Sequence, residues 1–395
     1  MNARLLLVVL LVTALATLAW PTRARAIDFN LAGSAQLDYL FVPGLYGVDP
    51  RPPTNTFPGF TQELSLKLAV DITSHLSANV KVCVGCHGFE LAMGYADVRV
   101  ADEFNIRAGR FNPTFGEFGL RYDVANHRTS DRPLPYDMGR MLYMFQFNRS
   151  VLPLPYVETG IEVSGSHFFA RRVQLDYAAH VVSGLRGPAN GYDLDFTLSH
   201  GANPYTVDNN IVPSFGGRVG ATFRLADRTD FTIGASGIYG AYDPDGRLDY
   251  LILGVDSYLR IGRTSIRAEY LIRRTDQGPL NRFNYPLLRN PDGSFQWPEL
   301  ITDGFYVEVE QPINRYLDVV LRFDGLHRRG NTSALVPAGT GLDFDAGMLR
   351  GTGGFNVIID RSFRIKANVE YYRFWGMQNG VNDAVAFHLS AVTAF

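Results

Sequence analysis

From Ile27 to the last residue, apolar and polar side chains alternate one by one, in runs of eight to thirteen residues separated by turns and polar loops. Alternation is a strand signature, because successive side chains of a strand point to opposite faces. In Glu63 to Ile72, Leu64, Leu66, Leu68, Val70 and Ile72 share one face, and Glu63, Ser65, Lys67 and Asp71 the other. Phe363 to Tyr372 repeats the pattern, as do Leu317 to Asp324 and Ser265 to Arg273. The polar faces carry Arg267, Glu269, Asp318 and Arg322 at strand centres. A soluble sandwich also alternates, but its dry core rejects such charges, whereas a water-filled lumen accepts them.

The connections alternate in length as well. Short ones (74–77, 102–104, 171–173, 228–230, 262–264, 314–316 and 360–362) take turns with longer polar loops, as the two ends of a transmembrane barrel require. The strands fall near 28–43, 61–73, 78–85, 89–101, 105–112, 158–170, 174–185, 215–226, 231–243, 248–261, 265–275, 303–312, 317–327, 347–359, 363–375 and 383–395, sixteen in all. In 89–101 the apolar face switches near Tyr95. The last strand carries Val385, Phe387, Leu389, Ala391, Thr393 and Phe395 on one face, and resembles the terminal-Phe strand of outer-membrane proteins. The expected fold is all-β, a transmembrane antiparallel up-and-down β-barrel of about 16 strands surrounded by outer-membrane lipid.

Residues 1–26 form an export signal, with Arg4 at its start, an apolar stretch from Leu5 to Trp20, and the small-x-small site Ala24-Arg25-Ala26. Removing Arg4, Arg23 and Arg25 leaves 34 basic against 39 acidic residues, a formal charge of −5. That balance excludes a nucleic-acid binder. Beyond residue 26 no apolar run reaches the roughly 18 residues of a spanning helix. The expected location is the outer membrane of a Gram-negative cell, with 27–395 as one barrel.

Barrels of about sixteen strands are wide enough to leave an aqueous channel. Strand phase places Lys67, Arg218, Arg224, Arg260, Arg267, Arg273, Arg322, Arg350, Arg364 and Lys366 on the pore wall, against Asp71, Asp256, Glu269, Glu308, Glu310, Asp318, Asp324 and Glu370. Ten against eight predicts no strong ion preference. The longest connection before mid-chain, 112–158, is rich in charge: Arg121, Asp123, His127, Arg128, Asp131, Arg132, Asp137 and Arg140. Folded inward, it is a constriction that filters solutes by size and sign; left outside, its charges are simply solvated.

The stretch Arg107 to Gly116, RAGRFNPTFG, resembles the strand-and-loop entry of the phosphate-selective porin family, with Thr114 set between Pro113 and Phe115. The resemblance spans this stretch and the barrel pattern, and implies a trimeric solute channel. It carries over none of the family's phosphate-binding residues.

Cys83-Val84-Gly85-Cys86-His87 has the CxxCH pattern of covalent c-type haem attachment, two thiols for the vinyl groups and a histidine for the iron. The axial sulfur would come from Met93, Met138, Met141 or Met144. The same cysteines also suit a CxxC disulfide closing a hairpin, while a structural zinc lacks a fourth ligand. A single haem would need a multihaem cytochrome partner to pass electrons across the membrane. The leading expectation is therefore a passive porin, with a haem-bearing component of an electron conduit as the alternative. The histidine spacings assemble no hydrolase, so no enzyme is expected.

Overall fold

The computed structural model describes residues 28–43, 59–85, 88–137, 150–152, 154–169, 172–187, 193–194, 208–278, 299–330, 342–377 and 382–395. The sixteen segments read from alternation all form strands: β1 Asp28–Phe41, β2 Gly59–Asp71, β3 Leu76–Gly85, β4 Gly88–Ala101, β5 Phe104–Phe111, β6 Glu158–Phe169, β7 Val173–Val182, β8 Ser214–Ala226, β9 Thr229–Ala241, β10 Asp249–Ile261, β11 Thr264–Asp276, β12 Glu299–Pro312, β13 Leu317–Gly330, β14 Leu342–Ile358, β15 Phe363–Met377 and β16 Asp383–Ala394. Each pairs antiparallel with its neighbours in sequence, and β1 pairs with β16 from Ser34 opposite Ala394 to Phe41 opposite Phe387. The sheet is a closed barrel, which leaves no strand edge unpaired in lipid. The leader, 1–26, lies outside the described residues.

Alternation decides which way each side chain faces. Leu64, Val255, Leu321, Val369 and Leu389 point outward and are exposed, whereas their interior-facing neighbours Ser65, Asp256, Arg322, Glu370 and Ser390 are buried. An apolar outer surface over a polar inner one is the arrangement a membrane selects. The face switch in β4 has a local cause: Lys81 pairs with Met93 but Val82 with Leu91, so Ala92 is an extra residue, a β-bulge that shifts the phase.

The interior also holds an apolar cluster. Its strand members are Leu40 of β1 and residues of β9 to β16, among them Ile252, Tyr306, Leu326, Met348 and Phe374. Among the described residues no buried member comes from β2 to β8, and Met93 of β4 packs against the margin.

Candidate pore and constriction

The connection between β5 and β6 folds inward. Leaving β5, the Thr114 amide donates to Glu162 Oε2 of β6 at 2.7 Å, and the Gly116 amide to Ser236 Oγ of β9 at 3.0 Å. Gly116 has a φ of +61, and a Cβ there would stand 2.3 Å from the Tyr136 hydroxyl and 2.5 Å from Glu269 Oε2. Only glycine fits that left-handed, crowded position. The next residues lie on the far wall, where the Phe118 amide donates to Glu269 at 2.6 Å and Glu117 pairs with Arg267 at 3.1 Å.

Then the chain spans the lumen. Arg121 pairs with Glu308 of β12 at 2.9 Å, while Asp123 pairs with Lys81 of β3 at 2.9 Å and accepts from Ser65 of β2 and Ser34 of β1. Six strands, β13 to β16 with β1 and β2, stand between β12 and β3 on that side of the ring. Two residues apart in sequence therefore grip nearly opposite walls. Burial raises the cost of the Asp123 charge, but Lys81, the Ser34 hydroxyl and the Ala125 amide outweigh it and hold the carboxyl below its ordinary range.

From there the loop fills the side lined by β13 to β16. Arg128 pairs with Asp318 at 3.0 Å, and the Ser130 amide donates to Asn368 Oδ1 at 2.8 Å. Asp131 sits between Arg322, at 2.7 Å, and Arg350, which also binds Asp324 at 2.6 Å and donates to the Arg132 carbonyl. Arg132 reaches Glu63 of β2 at 3.1 Å, and Asp137 lies 4.0 Å from Arg350. His127 is buried, its Nδ1 donating to the Thr129 carbonyl at 2.9 Å. Burial, with Lys366, Arg132, Arg121 and Arg322 nearby, pushes its pKa well down. A second connection also enters: Asp193 pairs with both Arg273 and Arg328 at 3.3 Å.

All eighteen positions placed on the pore wall from phase lie on the interior face, but one part of that reading needs correcting. Arg273, Glu308, Arg322, Arg350 and Lys366 are buried, because the loop covers them; they hold the loop in place rather than face open solvent. Glu269 is covered likewise, accepting from Tyr136 and Tyr306. Arg218 lies along the wall against Asp256 at 2.5 Å. Asp318 is buried under Arg128, and Arg267 is mostly covered by Glu117 and Glu310. Lys67, Arg224, Arg260 and Arg364 lie nearer the short-turn end, the first three exposed.

Phase reasoning passed over Lys81, Asp97, Arg107 and Glu162. Arg107 pairs with Asp97 at 2.8 Å and Glu162 at 3.5 Å, its guanidinium over the Tyr95 ring at 4.7 Å. Lys81 was legible, since Asn79, Lys81 and Cys83 alternate with Ala78, Val80, Val82 and Val84. The β4 bulge hid Asp97, because phase counted from the start of that strand is wrong beyond Ala92. Cys83 shares the interior face of Lys81, opposite Ser65. Cys86, His87, Met138, Met141, Met144 and Arg140 lie outside the described residues. Met93 is packed against the interior apolar cluster.

No protein-family model and no curated protein matches the chain. Solved structures do. The anion-selective porin from Comamonas acidovorans is similar at 12% identity over 93% of this chain and 100% of its own, with a TM-score of 0.55. The outer membrane channel DcaP of Acinetobacter baumannii is similar at 11% identity, over 95% and 99%, with a TM-score of 0.54. OmpT of Vibrio cholerae, an outer membrane protein in a trimer form, gives 11% identity, 94%, 100% and 0.50. At such identities the likeness is one of fold: this chain builds the barrel of outer-membrane porins and channels.

Proposed function

We propose that the protein is an outer-membrane porin, a water-filled channel for the passive diffusion of small hydrophilic solutes, exported by its 1–26 leader and assembled as a homotrimer. One observation carries this reading: a closed sixteen-strand wall, apolar outside and charged inside, with a charged loop anchored across its interior. A barrel of that size is wider than its own side chains can fill, so a loop is what sets its bore. The interior arginines support weak ion selectivity, since Arg218, Arg267, Arg322 and Arg350 each face a carboxylate. The test is planar-bilayer conductance of the purified mature protein. Discrete unit steps at high salt are expected, and a fully inserted but silent barrel overturns the proposal. Light scattering in detergent is expected to give the mass of three chains.

The CVGCH stretch favours a second reading, a single covalent haem c held by Cys83, Cys86 and His87 that makes the barrel part of an electron conduit. A pyridine-haem spectrum decides it, and the absence of a haem band ends it.

A further inference from the structure

The interior is not equally wet all round. Along β9 to β16 and β1 it is closed by the apolar cluster and by charges with no exposure, Glu308, Arg322, Asp324, Arg350 and Glu370 among them. Between β3 and β6 part of the inner face meets water: Asp97 and Arg107 are each 30% exposed, and Asp123 of the loop 23%, while Lys81, Phe111 and Glu162 beside them are buried. The contacts of the loop explain the difference. Its anchors run from Glu162 of β6 through β9, β11 and β12, and cross to Lys81 of β3. Among the described residues, the loop leaves Asp97 of β4 and Arg107 of β5 uncovered, whereas Ala92 and Phe111 of the same strands are buried, and Leu120 on the loop is 62% exposed.

Resting on the porin reading, we propose that solutes cross this barrel off its axis, through a crescent between the β3–β6 wall and residues 120–123. The loop is a fixed crosspiece there, not a gate, and Asp97, Arg107 and Asp123, the last held by the buried Lys81, set the selectivity. Cation and carboxylate stand within 3 Å of each other in both pairs of this wall, Lys81 with Asp123 and Arg107 with Asp97. Such pairs present dipoles rather than net charge, and they can exchange hydrogen bonds with a passing solute. The crescent therefore suits uncharged or zwitterionic polar solutes over ions of one sign.

Three single-cysteine proteins test this in planar bilayers. One keeps Cys83 and carries Cys86→Ser. The others carry Ser77→Cys or Thr352→Cys with both native cysteines replaced by serine. Ser77 pairs with Asp97 in the uncovered wall, whereas Thr352 is buried on the covered side. An anionic methanethiosulfonate reagent is expected to cut the unit step to roughly half or less at Cys83 and Ser77→Cys and to leave Thr352→Cys unchanged. Block at Thr352→Cys, or conduction untouched at both Cys83 and Ser77→Cys, overturns the crescent while the porin reading stands. Silence of all three before any reagent, with the wild-type chain equally silent, overturns both.

Discussion

The β3–β6 arc and the β11–β16 arc of this barrel share one pattern of alternation, yet their interior charges live in different media. Asp97 and Arg107 are partly hydrated, while Arg322, Arg350 and Glu370 are wholly enclosed. The wall does not make this difference. The crosspiece does, by carrying Asp131, His127 and Tyr136 against one side and leaving the other to water. The same kind of ion pair accordingly has two meanings. A hydrated pair contributes little to stability and is available to a solute, whereas an enclosed pair fixes a loop and is strongly destabilising to break.

Matched truncations exploit that contrast. Arg350→Met strips Asp131 and Asp324 of a partner inside a dry network, and is expected to cost about 3–5 kcal/mol. Urea unfolding in detergent micelles measures it. A loss below about 1 kcal/mol, the size expected of an exposed pair, would show that the covered side is wet after all.

Gly116→Val attacks the crosspiece itself. The side chain meets Tyr136 and Glu269 in a backbone conformation that a β-branched residue resists, at an expected cost of about 1–3 kcal/mol. Because Gly116 precedes the crossing at Arg121, the variant should also conduct in larger unit steps than wild type. An unchanged step with normal insertion would mean that this glycine does not position the constriction.

The fold was legible because a period of two marks every strand of this barrel and fails only at local bulges such as that at Ala92. The site was legible in part. Phase put Arg322 and Arg350 on the inner face, but burial depends on where residues 112–137 travel, and a loop has no period to read. Glu269 illustrates this: its place on the wall follows from Arg267 and Leu271, while its enclosure by Tyr136 joins positions 133 residues apart. The Gly116 of the family-like stretch was visible as a letter. Its reason, a left-handed turn against Glu269, was not.

His127 separates the two sides by pH. It lies in the enclosed network, facing Lys366 of β15, Arg322 of β13, and Arg121 and Arg132 of the loop, and its imidazole stays neutral well below 6.5. The unfolded chain takes up that proton as pH falls through 6.5, and the folded chain does not. Stability is therefore full above about pH 6.5 and declines below it by up to about 1.4 kcal/mol per pH unit, until the buried ring titrates. His127→Gln should flatten the decline below pH 6.5. Identical slopes for the two proteins would place the ring in water.

The smallest effect on stability is expected on the open arc. Arg107→Met removes a partner from the hydrated Asp97 and from the buried Glu162, which keeps the Thr114 amide and hydroxyl as donors, so unfolding should shift by about 1 kcal/mol or less. Its signature lies in transport. With two carboxylates left uncompensated beside the crescent, the zero-current potential across a potassium chloride gradient should move toward cation preference. Lys81→Met, which uncovers Asp123 on the opposite flank, should move it in the same direction. A buried pair of the other arc offers no such readout, because a solute that never meets Arg322 is indifferent to its charge. If Arg107→Met lowered stability as much as Arg350→Met and left ion preference unmoved, the two arcs would be alike, and the division of this lumen into a sealed half and a conducting crescent would be lost.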